Sequence, residues 1–213
     1  MNNQYKIEEI PIIRQNVFTT VLTDINHSQI AADIKSYGKT IKQESPEYGW
    51  VSRGFVQYED IVVPITPEIT KLELSVLSVM ETITEKQYSI SEMWAVNLVK
   101  NQSVIAHSHY SNTHKRPDEY YSIAYYPCAP AGAAELIFST SWCGHMNSST
   151  AITPETGLLV VFNSFITHMT ARHKIEEPRI VLSMNLSPIN PTQDPNADWS
   201  VYWDRPRIDG AVD

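Results

Sequence analysis

Three histidines are spaced so that a single metal ion could bind all of them. His107 and His109 stand two residues apart in the segment SVIAHSH, and a strand there would point both to one face. His168 lies in a second strand-like segment, FITHMTAR, which an antiparallel sheet can place beside the first. Imidazole binds Fe, Zn, Cu and Ni, and three such ligands leave coordination positions open. The alternative is a chance pairing of surface histidines, because an HxH pattern alone is weak evidence.

The segment RIVLSMNLS alternates polar and apolar residues, as a strand with two different faces does. One face carries Arg179, Val181, Ser183 and Asn185, and the other is apolar throughout. An arginine without a partner inside a small barrel would be costly. The guanidinium therefore either binds an anionic ligand, which its planar fork suits, or forms a surface salt bridge with one of the two glutamates just before it.

The elements that position these residues are predicted to be two helices and a set of short strands. One helix begins after Asn26, and a second is capped by Thr66 with Pro67 at its first position. From about Trp94 onward, short stretches rich in β-branched and aromatic residues predict strands. These are MWAVNLVK, SVIAHSH, YYSIAYY, AELIFS, GLLVVFN, FITHMTAR and RIVLSMNLS. Their close spacing favours a β-rich α+β protein, a sandwich or barrel with the helices outside it.

The composition is that of a globular protein and disfavours several function classes. The chain has 213 residues, of which 42% are hydrophobic, so one domain is the default. Its net charge of -8 disfavours a dedicated nucleic-acid binder, because such a surface repels phosphates. No apolar run approaches the ~20 residues of a membrane span, and the N-terminus lacks a signal-peptide pattern. These features predict a cytoplasmic protein that does not bind membranes.

Four motifs, in this order along the chain, carry a resemblance to a known family. They are HSH at 107–109, IAYYPCAP at 123–130, ETGLLVVFNSFITH at 155–168 and EPRIVLSMNLS at 177–187. The set resembles the Fe(II)/2-oxoglutarate-dependent dioxygenase superfamily, and more narrowly the oxygenases common in phage and marine bacterial genomes. With the opening segment EEIPIIRQNVFTTVLTD, the resemblance covers roughly residues 6–187.

This resemblance implies a double-stranded β-helix, or jelly roll, with supporting N-terminal helices. A single domain would fill residues 1–213: an N-terminal strand and helices in 1–90, the core and metal site in 91–190, and a C-terminal extension in 191–213. Loops at 44–60, 110–120 and 139–153 would set substrate specificity. An exposed edge strand near the N-terminus would permit a homodimer.

The resemblance also implies the chemistry. The three histidines would bind Fe(II), which 2-oxoglutarate would chelate through its keto acid end. Arg179 would bind the far carboxylate, with Ser183 or Tyr126 as a hydroxyl partner, and Asn97 would form a hydrogen bond near the metal. For Tyr126 and Asn97, a purely structural role in the core is the alternative. Oxygen would convert 2-oxoglutarate to succinate and CO2, with hydroxylation of a protein or small molecule favoured over nucleic acid.

The sequence departs from the family at one ligand position, where His109 stands in place of the usual carboxylate. Three arrangements remain open. All three histidines bind iron, or His109 is a bystander, or Asp118 supplies the missing carboxylate. Strand geometry favours the first of these.

Two other functions compete with an oxygenase. One is a non-catalytic jelly-roll module that binds a metal or an anion, although a structural zinc site needs a fourth ligand that is not evident. The other is a metal-dependent hydrolase, which needs a nearby general base and no keto acid. An arginine facing an open metal site favours the oxygenase over both.

Overall fold

The computed structural model describes residues 16–37, 39–41, 59–109, 117–142 and 146–189. Within them the chain forms two α-helices, α1 (His27–Tyr37) and α2 (Pro67–Thr84), and one 3₁₀ turn at Pro117–Glu119. The strands are β1 (Val17–Val21), β2 (Lys39–Ile41), β3 (Glu59–Val62), β4 (Tyr88–Leu98), β5 (Val104–His107), β6 (Tyr121–Cys128), β7 (Leu136–Trp142), β8 (Met146–Ile152), β9 (Leu158–Asn163), β10 (His168–Thr170) and β11 (Arg179–Pro188).

The strands form two antiparallel sheets that make a jelly roll. The seven-stranded sheet has the order β1-β9-β6-β11-β4-β3-β2, and the four-stranded sheet has the order β5-β10-β7-β8. Strand β11 lies in the middle of the larger sheet, paired with β4 on one side and β6 on the other. The predicted β-rich α+β fold class, with a jelly-roll core, is confirmed.

Both helices pack on the outer face of the larger sheet, as predicted. The Thr66 side chain caps α2 by accepting a hydrogen bond from the N–H of Ile69, and Pro67 follows at the first helical position. The apolar side chains of α2 recur at a helical spacing and face the sheet. Burying each of them contributes about 1.5–3 kcal/mol to the free energy of folding. The outer core contains Ile30, Ile34, Ile69, Leu72, Val76, Met80, Ile180, Leu182 and Met184.

A second core fills the space between the two sheets. The rings of Phe138, on β7, and Phe162, on β9, meet edge to face with centroids 5.0 Å apart. Val96 and Leu98 of β4 belong to the same cluster, as do Tyr126 and Val181. Because side chains alternate along a strand, the face of β11 that carries Arg179 also points into this interior.

The strand predictions missed β2 and β3, the second of which includes Glu59 and Asp60 from the predicted loop at 44–60. They were wrong in three further places. Residues 139–153 are not one loop, because β7 and β8 pair across most of this segment. β8 has the sequence MNSSTAI, whose polar residues weaken the hydrophobic signal of a strand. β5 ends at His107, so His109 lies beyond it. β4 begins at Tyr88, earlier than the predicted start.

Some predictions concern residues that the structure does not describe. The predicted C-terminal extension, 191–213, lies outside the described residues, as do most of the loop at 44–60 and the greater part of the loop at 110–120. In the part of the chain that is described, neither helix is both long and apolar enough to cross a bilayer.

Candidate metal and anion site

The structure brings the three predicted histidines together at one end of the interior. His107, the last residue of β5, is paired in register with His168, the first residue of β10. The ring centroids of these two are 4.3 Å apart, and that of His109 is 5.1 Å from His107 and 5.0 Å from His168. One ring nitrogen from each lies within 4.8 Å of the others. Although β5 ends before His109, the N–H of His109 donates to the Ser164 carbonyl and keeps this residue beside the other two.

Hydrogen bonds at Nδ1 orient the rings of His107 and His168 for metal binding. His107 Nδ1 lies 2.8 Å from the Ile105 carbonyl oxygen, and His168 Nδ1 lies 3.0 Å from the Ile166 carbonyl oxygen. A carbonyl only accepts, so the proton of each neutral ring must sit on Nδ1. The lone pair of each Nε2 is therefore available for a metal ion.

The ring of His109 is held by side chains. Its Nδ1 lies 2.7 Å from Asn185 Oδ1 and 2.9 Å from Ser122 Oγ, and the indole of Trp94 lies 5.3 Å away between ring centroids. Among the described residues, the cluster with metal-binding spacing contains these three histidines and no carboxylate. Asp118 is exposed and does not belong to that cluster.

Burial keeps the imidazoles of His109 and His168 neutral, which is the form that binds a metal. It lowers the pKa of His168 to about 3, and the nearby His107 adds to the effect. It also lowers the pKa of His109 to about 4, again assisted by His107 and partly offset by the hydrogen bond with Asn185. Removing a proton from either ring is therefore no obstacle to metal binding near neutral pH.

These lowered pKa values predict that the metal-free protein loses stability in mild acid. Below about pH 6.5 the unfolded chain protonates His168 and His109 while the folded state keeps them neutral, so the unfolded state binds more protons. The free energy of unfolding should then fall as the pH drops, by at most about 1.4 kcal/mol per pH unit for the buried His168. Denaturant titrations at about pH 7.5 and about pH 5 measure this change.

The His168→Ala variant is the control for this prediction, because it removes one of the two groups. Its loss of stability between the two pH values should be smaller than that of the wild type. Equal losses in the two proteins would show that His168 is not held neutral by the fold.

Arg179 is almost completely buried between the sheets, with an exposed fraction of 1%. Its Nη2 donates to the Tyr126 hydroxyl at 3.0 Å and its Nη1 to the Thr170 hydroxyl at 3.4 Å, and its guanidinium carbon lies 4.8 Å from the centre of the Tyr126 ring. Within the described residues its Nε has no hydrogen-bond partner, and no carboxylate forms a salt bridge with it. A buried cation in this condition is costly unless an anion binds to it.

The surface salt bridge considered for Arg179 is therefore wrong within the described chain. Glu176 is exposed and pairs with Lys100. Ser183 lies four residues from Arg179 on the same interior face, between Trp94 of β4 and Ala124 of β6. Arg179 and Ser183 thus share one face of β11, as predicted, and the Tyr126 hydroxyl contacts Arg179 from the neighbouring strand β6.

The structure does not bring Asn97 to this site. Asn97 pairs with Ile180, whose side chain belongs to the core under the helices, whereas its neighbours Val96 and Leu98 line the interior. Its Oδ1 is buried without a partner in the described part of the chain. The expected role near the metal fails because the apolar residues of β4, and not the polar one, face the space between the sheets.

Sequence reasoning missed two contributors to the site. Thr170 follows His168 by two residues in β10 and so lies on the same strand face, a spacing that could have revealed it. Asn185 was placed on the polar face of β11 without a role, and its contact with His109 depends on a pairing of distant segments.

Several solved structures share this fold with the chain. HygX from Streptomyces hygroscopicus, solved with nickel, 2-oxoglutarate and hygromycin B, matches with a TM-score of 0.58 at 10% identity, covering 82% of this chain and 84% of HygX. A Pseudomonas putida prolyl-4-hydroxylase matches with a TM-score of 0.58 at 11% identity, covering 81% of this chain and 92% of the hydroxylase.

A third neighbour is SnoN, a non-heme α-ketoglutarate-dependent epimerase of nogalamycin biosynthesis. It matches with a TM-score of 0.60 at 8% identity, covering 82% of this chain and 78% of SnoN. No protein-family model matches the chain, and no curated protein matches it in sequence. The chain therefore shares the jelly-roll fold of a set of solved structures that includes Fe(II)/2-oxoglutarate oxygenases.

Proposed function

We propose that this protein is an Fe(II)- and 2-oxoglutarate-dependent oxygenase that hydroxylates a protein or small-molecule substrate. The proposal depends on one observation: a set of metal-binding histidines and a buried arginine without an anionic partner in the described chain lie in the same space between the two sheets. Three imidazoles converge, two of which are kept neutral by burial, and a buried guanidinium lacks an anion among the described residues. HygX, with nickel and 2-oxoglutarate bound in the same fold, supports this assignment.

The two features are close enough for one small diacid to reach both. Arg179 donates to Thr170, which stands two residues from His168 on β10. Two residues of an extended strand span about 6.5 Å. A five-carbon dicarboxylate held by its keto acid end at the histidines can therefore place its far carboxylate at Arg179.

In this proposal the polar residues of the site bind the metal and 2-oxoglutarate, and the apolar residues around them exclude water. His107, His109 and His168 would hold Fe(II), which with bound 2-oxoglutarate supplies oxygen activation at the cost of converting the keto acid to succinate and CO2. Arg179 binds the far carboxylate with its planar fork, and the Tyr126 hydroxyl fixes the plane of that fork. The apolar interior around Phe138, Phe162 and Leu98 keeps bulk water from the site.

Three neutral ligands give this site one negative charge fewer than two histidines and a carboxylate would. A more positive metal site attracts anions more strongly, which favours a dianionic cosubstrate. We further propose that His109 is a ligand, since its ring is as close to His168 as it is to His107. The net charge of -8 supports a substrate other than nucleic acid.

An anaerobic titration tests the proposed function. We expect the metal-free protein to bind one Fe(II) per chain and then to develop a weak visible charge-transfer band when 2-oxoglutarate is added. Admitting air should release succinate. The same titration with succinate in place of 2-oxoglutarate is the control, because succinate lacks the keto group and should produce no band.

A non-catalytic metal-binding module is the second candidate, favoured by the fact that three imidazoles also suit zinc. Tight metal binding with neither a band nor succinate release would support that module and overturn the oxygenase. Absence of metal binding would overturn both.

A further inference from the structure

We propose that Asn185 is a positioning residue that fixes the tautomer of His109, and that Glu92 holds the Asn185 amide in the orientation this requires. The inference rests on the proposed function only where it concerns metal affinity. Its structural part concerns which nitrogen of His109 carries the proton, a property of the protein without metal.

His109 differs from the other two histidines in what its Nδ1 contacts. Those of His107 and His168 face backbone carbonyls, whose position is set by the fold. That of His109 faces the side chains of Asn185 and Ser122. The tautomer of His109 is therefore decided by side chains that can be replaced one at a time.

Glu92 determines which way the Asn185 amide points. Asn185 Nδ2 donates to Glu92 Oε2 at 2.6 Å, and a carboxylate can only accept. The amide oxygen must then face His109, at 2.7 Å from Nδ1. Because that oxygen also only accepts, the His109 proton sits on Nδ1 and Nε2 is left with its lone pair, as in the other two rings.

Ser122 cannot impose this choice by itself. Its hydroxyl lies 2.9 Å from His109 Nδ1 and also contacts Ser164 Oγ at 2.9 Å and Asn185 Oδ1 at 3.0 Å. A hydroxyl can donate as well as accept, so with Ser122 alone either nitrogen of His109 could carry the proton. Asn185 removes that freedom.

The first arm of the test measures the tautomer directly in the metal-free protein. Long-range ¹H–¹⁵N NMR spectra of histidine side chains distinguish a protonated Nδ1 from a protonated Nε2. We expect a protonated Nδ1 for His109 in the wild type. In Asn185→Leu, which keeps the size of the side chain but has no acceptor, the protonated Nε2 form should appear.

The second arm measures Ni(II) affinity by calorimetry. Loss of a partner that orients a ligand typically weakens metal binding by about 10–100-fold, and we expect this for Asn185→Leu. Glu92→Leu, which frees the amide to rotate, should move both readouts in the same direction by a smaller amount. Glu92→Gln puts a group that both donates and accepts beside Asn185, so it should have an effect between those of Glu92→Leu and the wild type. Glu81→Gln, a charge-matched control on the exposed side of α2, should resemble the wild type.

The two arms separate failure of this inference from failure of the proposed function. If Asn185→Leu and Glu92→Leu both keep the proton on Nδ1 and bind Ni(II) within about twofold of the wild type, the positioning role is overturned. If the wild type binds no Ni(II) but the tautomer changes in Asn185→Leu, the positioning role stands and the metal site is overturned.

Discussion

Replacing Arg179 with methionine is expected to weaken 2-oxoglutarate binding at least about 30-fold with little loss of stability, because removing one member of a buried charge pair costs about 2–5 kcal/mol. Methionine fills a similar volume, and exchanging a buried charge for an apolar side chain is often neutral or stabilising by about 1–4 kcal/mol. Titration of the Fe(II)-loaded variant with 2-oxoglutarate, together with its Tm without ligands, measures both effects.

This combination of effects distinguishes a ligand-binding arginine from a structural one. An arginine that served only the fold would leave the 2-oxoglutarate affinity unchanged when removed, whereas one that binds the far carboxylate would not. Arg172→Met is the matched control, because Arg172 is exposed and should change neither the affinity nor the Tm. If Arg179→Met lowers the Tm strongly and leaves the 2-oxoglutarate affinity intact, Arg179 belongs to the core and the anion site is wrong.

Strand periodicity was enough to predict much of the site. The alternation in RIVLSMNLS placed Arg179 and Ser183 on one face, and the structure keeps them there because Ile180 and Leu182 pack under the helices. The sequence indicated that His107 and His168 could lie side by side in an antiparallel sheet. Their direct pairing depends on the formation of the smaller sheet, in which β5 and β10 are neighbours. The alternation of residues along a strand predicts which side chains share a face. What that face packs against is decided by contacts between segments that are distant in sequence.

The failures have the same origin. Asn97 was expected near the metal from the family resemblance, but β4 directs its apolar neighbours Val96 and Leu98 into the interior instead. β8 escaped prediction because an edge strand of polar residues buries little and so has no hydrophobic period. The hydrogen bond of His109 to Asn185 joins residues 76 positions apart, and no short-range pattern encodes it.

Replacing His168 with alanine is expected to abolish stoichiometric metal binding and with it any turnover of 2-oxoglutarate. Loss of a group that merely orients a ligand costs about 10–100-fold in metal affinity, so loss of a ligand itself should cost at least about 100-fold. His109→Ala should have a comparable effect if three histidines bind the ion, and little effect if His109 is a bystander. Calorimetry with Ni(II) compares the two variants with the wild type.

The matched control is His173→Ala, which removes a histidine that is fully buried but lies outside the cluster. Its Nδ1 accepts from the Ala134 N–H and its Nε2 donates to the Glu177 carbonyl, so both nitrogens already serve the fold. We expect this variant to lose about 1–3 kcal/mol of stability and to bind metal like the wild type. Normal metal binding by His168→Ala would show that convergence of the three rings is a packing feature, because a true site cannot lose its most buried ligand without effect.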